Sequence, residues 1–228
     1  MAKLTAPCVT MMSPPDGRRL RMSEEIFRTV AGDSEEILEE KRSSFIAAVR
    51  RVSTEEEAMA FVKERKKMHP DARHTVFAYL LRKGAARYSD DSEPQGTAGL
   101  PTLEAIRRAG VEDVVVATTR YFGGILLGAG GLTRAYAGAA HLALEAAGVA
   151  EYVPFAYYSL DLTYPDHQRV LPELSRLAVR ERGTDFAERV RMEVGLPVEM
   201  GPELCRRVTE LTAGRCIPKE VSQGMDLK

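Results

Sequence analysis

Residues 114–148, VVVATTRYFGGILLGAGGLTRAYAGAAHLALEAAG, decide the fold class. Val114-Val115-Val116-Ala117 is an uninterrupted apolar run, the pattern of a strand covered on both faces. A glycine-rich loop, Gly123–Gly131, follows. An alanine-rich segment then continues to about Ala147, and Gly148 stops it as a helix. A buried strand, a glycine loop and a long helix in succession place strand and helix side by side in one unit.

Working upstream, Ile37–Glu40 and Ser44–Val52 read as strands. Ser53 or Thr54, with Glu56 or Glu57 three residues on, forms a capping box that opens a helix over about Glu55–Met68. Pro70 ends that helix, and Thr75–Leu81 is rich in residues that suit a pleated surface. Residues 89–99, SDDSEPQGTAG, form a polar loop of a length at which function concentrates. Pro101 suits a first helical turn, Leu103–Ala109 is the helix, and Gly110 ends it.

Downstream, Tyr157–Tyr164 alternates as a strand and Asp166–Leu177 is helical. Val179–Phe186 and Arg189–Leu196 pair as strands, Glu199–Thr212 is helical, and Cys216–Val221 closes the set. The order βαββαβ is that of a ferredoxin-like domain. Two domains are therefore expected, 22–152 and 155–228, hinged near Val153-Pro154. The aperiodic residues 1–21 read as a disordered leader, with Met22 as the native start.

The 228 residues carry 32 Lys and Arg against 33 Asp and Glu, a net charge of −1, so no global field draws the chain to polyanions or membranes. The tail, 156–228, holds 11 basic and 12 acidic side chains, so neither half is a basic module. Three cysteines without a CxxC pair fit a reducing compartment. No apolar stretch approaches the roughly 20 residues of a membrane span. A cytoplasmic protein without membrane contact is the reading.

Two loops concentrate the candidate ligand-binding residues. In the second, Gly123, Gly124, Gly128, Gly130 and Gly131 sit between strand and helix. Backbone N–H groups there suit a small anionic ligand, although the same glycines also serve turn geometry alone. Arg120 and Arg134 beside Tyr121, Phe122 and Tyr136 suit bases or phosphates, or else Arg120 pairs with Asp90 or Asp91. In the first loop, Asp90, Asp91 and Glu93 suit Mg²⁺ or acid/base work, or simple solvation, with Gly96 and Thr97 beside them. His74 donates to a ligand, acts as a base, or is structural. No histidine or cysteine spacing supports a metal centre and no cofactor is implied. No serine or cysteine nucleophile is recognisable by spacing. Lys63, Arg65, Lys66 and Lys67 either face phosphates or form a solvated helix face. In the tail, Arg180, Arg182, Arg189 and Arg191 fall at i, i+2 on adjacent strands. They form the nucleic-acid candidate unless Glu181, Asp185, Glu188 and Glu193 neutralise them.

SDDSEPQGTAGLPTL at 89–103 and RYFGGILLGAGGLTRAY at 120–136 resemble the two hallmark segments of the IMPACT/YigZ family, supported by 41–45 and 72–74. The resemblance implies an α+β first domain similar to the second domain of a small-subunit ribosomal protein. It implies a tail similar to the last domain of elongation factor G. It also implies a translation-linked regulatory role, in which bacterial members are proposed to bind nucleic acid or the ribosome. Three positions depart from the family pattern: Ser92 stands where a glycine is usual, Leu126 where a lysine is usual, and Val76 where a cysteine is common.

The expected function is a translation-associated binding protein whose two loops form one site, with RNA, the ribosome or a translation factor as partner. The alternatives are a Mg-dependent enzyme acting on a phosphorylated small molecule, with Asp90 or Asp91 placing the ion, and a pure protein-interaction adaptor.

Overall fold

The computed structural model describes residues 26–82 and 84–228. The expected leader and the Met22 start lie outside them. The described residues are mixed α+β and form two five-stranded sheets.

The first sheet has β2 (Ser34–Glu40), β3 (Ser43–Arg51), β4 (His74–Leu80), β5 (Ala86–Ser89) and β6 (Val114–Tyr121), in the order β2-β3-β6-β4-β5, every neighbour antiparallel. Val114 and Val116 pack under α2 (Gly99–Ala109) and α3 (Gly128–Ala147), while Val115 and Ala117 pack under α1 (Glu55–Met68). Burial on alternate faces explains the continuous apolar run, since successive strand residues point to opposite sides. Thr54 caps α1 by accepting the Glu57 N–H at 3.2 Å, and the Ser53 N–H donates to Glu57 Oε2 at 2.6 Å. Gly110 ends α2 in the left-handed region, φ 65°.

The second sheet is built on β7 (Val149–Leu162), flanked by β9 (Val190–Pro197) and then β8 (Arg180–Phe186), with β10 (Lys219–Leu227) also paired to β7. Helices α4 (Tyr164–Arg176) and α5 (Gly201–Leu211) carry the apolar side chains that cover it, Val170, Leu174, Leu204 and Val208. The βαββαβ order is present.

Three expectations are corrected. The hinge near Val153-Pro154 lies inside the unbroken strand β7. On one edge of β7, pairing with residues 27–30 ends at Tyr152 and pairing with β9 begins at Phe155, so the missing N–H of Pro154 falls between those two ladders, while on the other edge Pro154 stands in register with Met225 of β10. A strand not expected from sequence, β1 (Phe27–Val30), pairs with Val149–Tyr152 and accepts the Glu112 N–H at the Arg28 carbonyl. The second sheet therefore includes residues from the start of the chain. Finally, Gly128, Gly130 and Gly131 lie in the first turn of α3, not in the loop before it. No helix among the described residues is long and apolar enough to cross a membrane.

Candidate binding site at one end of the first sheet

The antiparallel order gathers four connections at one end of the first sheet. They are the 41–42 turn between β2 and β3, the 69–73 link into β4, the loop after β5, and the loop leaving β6. Both family-like loops therefore meet at the C-terminal end of β6.

Within the first loop every candidate carboxylate is held by the protein itself. Asp90 accepts the backbone N–H groups of Gly96 (2.9 Å), Ala98 (3.0 Å) and Gly99 (2.8 Å). It supplies the anionic cap that α2 lacks at its own N-cap residue. Asp91 accepts the Thr75 N–H at 2.7 Å and pairs with Lys66 at 2.9 Å, and its carbonyl lies 2.8 Å from His74 Nδ1. Because a carbonyl only accepts, Nδ1 carries the proton and His74 is an anchor of the loop. Asp91 and Ser92 both have positive φ, 43° and 71°, which turns the chain back toward β6.

Glu93 then reaches under the sheet end. Its Oε1 accepts from Arg120 Nη1 at 2.8 Å and from the Tyr136 hydroxyl at 2.7 Å, tying the first loop to β6 and α3. Burial, reinforced by the Glu93 hydrogen bond, pushes the Tyr136 phenol far above its usual range and keeps it a donor. The Arg120 guanidinium lies 5.4 Å from the Phe45 ring and 5.5 Å from the Phe122 ring. Its partner is thus Glu93, and neither Asp90 nor Asp91. Arg120 Nε and Thr118 Oγ1, on the same face of β6, are buried without a hydrogen-bond partner among the described residues.

The second loop is fitted against the 41–42 turn. A Cβ on Gly123 would lie 2.0 Å from the Arg42 carbonyl carbon, and the Gly123 N–H donates to Ser43 Oγ at 3.2 Å. Gly124 and Gly128 take φ of 84° and 71°. The start of α3 has neither a side-chain cap nor an acidic residue in its first turn, and Arg134 folds back so that its Nη1 is 3.8 Å from where a Gly130 Cβ would stand. Gly96 also has positive φ, and Thr97 is buried, donating to the Pro94 carbonyl. Tyr121 Oη is 3.0 Å from His69 Nδ1.

Sequence reasoning passed over His69 and treated the 63–67 cluster as one unit. Arg65 is instead buried, 4% exposed, pairing with Glu35 at 2.5 Å and lying 3.1 Å from His69 Nε2. Its position follows Ala58 and Phe61 or Val62 at helical spacing, a signal present in the sequence. Lys66 joins the site through Asp91, while Lys63 and Lys67 are exposed.

The tail arginines are largely charge-balanced. Arg180 pairs with Asp226 (2.7 Å), Arg182 with Glu193 (3.2 Å) and Arg189 with Asp161 (2.6 Å), while Arg191 stands in register with Asp161 and Asp185. Of the four carboxylates expected to neutralise them, only Glu193 pairs with one of the four arginines, while Asp226 takes Arg180 and Asp161 takes Arg189. Arg182 also lies 3.4 Å over the Tyr157 ring.

Against known proteins, the model of the Impact N-terminal domain matches residues 41–144, and a domain of unknown function, DUF1949, matches 160–215. The IMPACT family member YvyE of Bacillus subtilis is 35% identical over 83% of this chain and 88% of its own length. The Escherichia coli member YigZ is 33% identical over 76% and 87%. A Thermus thermophilus member is 38% identical over 77% and 96%. A crystal structure described as that of a hypothetical protein superposes with a TM-score of 0.56 at 30% identity, covering 87% of this chain and 98% of its own.

Proposed function

The chain belongs to the IMPACT family, and on that premise we propose that it is a cytoplasmic, translation-associated binding protein that contacts RNA, free or on the ribosome, through the end of its first sheet. The observation that carries the reading is the engagement of Glu93 by Arg120 and Tyr136. Together with the internal bonds of Asp90 and Asp91, it consumes the negative charge of the first loop inside the protein. Around it Lys41, Arg42, Arg73 and Arg134 remain exposed, and none makes an ion pair among the described residues. Cations with their counter-charges withheld are what a polyanion selects.

The same engagement weighs against Mg-dependent catalysis. A hard cation needs carboxylate oxygens, and those of Asp90 and Asp91 already hold backbone N–H groups and Lys66. Exposed Glu40 and Asp71 flank Lys41 and Arg73, which limits the expected number of phosphate contacts to a few. Filter binding to ribosomal RNA across a salt series tests the proposal. With three or four contacts, log affinity falls with log salt at a slope of about −2 to −3. Absent or salt-insensitive binding removes it.

A further inference from the structure

We propose that the RNA taken by this site is single-stranded and that Phe122 is the platform on which a base stacks; the inference rests on the RNA reading above. Phe122 is 53% exposed although it directly follows β6, and it is not loose: the Arg120 guanidinium lies 5.5 Å from its ring, and Arg120 is itself fixed by Glu93. The ring is therefore an aromatic surface held from beneath by a buried cation. Beyond it Ile125 is 42% and Leu126 84% exposed, at the open end of a loop seated on the 41–42 turn through Gly123.

The choice between strand states follows from what each form of RNA presents. A duplex offers rows of phosphate and hides the faces of its bases, so docking it here presses Phe122, Ile125 and Leu126 against charged, hydrated groups. A single strand offers base faces and phosphates in alternation. That suits a sheet end where exposed apolar Phe122 and Leu126 share the connecting loops with exposed Lys41, Arg42 and Arg134, none of which makes an ion pair among the described residues. A stacked base also covers an aromatic face that would otherwise stay in water.

The test is fluorescence anisotropy of the full chain with a single-stranded RNA of about 12 nucleotides and with a hairpin duplex of the same composition. Expected are tighter binding of the single strand, a loss of roughly fivefold or more on it for Phe122→Ala, recovery with Phe122→Trp, and little change of either variant on the duplex. Circular dichroism confirms that the variants fold, and the tryptophan variant keeps the stacking question answerable if the alanine variant does not. Equal or tighter binding of the duplex, or an unaltered single-strand affinity in folded Phe122→Ala, overturns the inference and leaves the RNA reading standing. Failure of both RNAs to bind overturns the two together.

Discussion

Glu93 and Arg120 form a hydrogen-bonded ion pair at 2.8 Å, with side chains only 4% and 8% exposed, between a loop and the central strand. Tyr136 donates to the same carboxylate oxygen from a third element. Removing one partner of such a pair leaves the other charge buried without compensation. Glu93→Ala is expected to lower stability by about 3–5 kcal/mol in urea unfolding. Tyr136→Phe, which leaves the pair intact, is expected to cost about 1.5–3 kcal/mol. A Glu93→Ala cost within about 0.5 kcal/mol, the range of a surface substitution, contradicts the bridging role.

Ser92 stands where the family resemblance implies a glycine, and its φ of 71° is one that glycine adopts without strain. Ser92→Gly relieves that conformation while loosening the unfolded chain, so a gain of no more than about 1 kcal/mol in thermal or urea unfolding is expected. Gly123→Ala has the opposite sign, because its Cβ meets the backbone of Arg42, and a loss of roughly 1–3 kcal/mol is expected.

His69 lies between Tyr121 and Arg65, and its basicity is lowered by burial first and by the Arg65 charge second. With the folded value below the ordinary 6.5, the unfolded state binds the proton more tightly. The contribution to stability is thus complete above about pH 6.5 and is lost as pH falls through the folded value. Urea midpoints measured from pH 7.5 down to 5 should decline, and His69→Gln should flatten the decline. An identical pH profile in the variant removes His69 from the account.

Leu126 is 84% exposed at the position where the family resemblance implies a lysine. Leu126→Lys adds a cation beside the start of α3. It should tighten RNA binding at low salt and steepen the salt slope by about 0.7 on a single strand. An unchanged slope places the RNA elsewhere.

Much of the fold was legible. The Thr54–Glu57 box and Pro70 bounded α1, the valine run marked β6, and alternation set out the tail. What escaped was set by non-local contacts. The stretch 86–89 has no apolar face because it is an exposed edge strand, and Phe27–Val30 becomes a strand only by pairing with Val149–Tyr152. For the site, the loops and most of their residues could be named, but not the partners. Arg120 takes Glu93 because Asp91 and Ser92 reverse the chain in the left-handed region, a geometry that neither residue type announces. Likewise the i, i+2 rule placed the tail arginines on neighbouring strands, yet Asp226 lies 46 residues from Arg180 in sequence.

Hydrogen exchange of the full chain with and without single-stranded RNA addresses most directly whether loops 89–99 and 120–136 act as one surface. Slowed exchange in both loops at the same RNA concentration, with the 180–191 strands unchanged, is the predicted result. Protection confined to the tail, or to one loop alone, contradicts it.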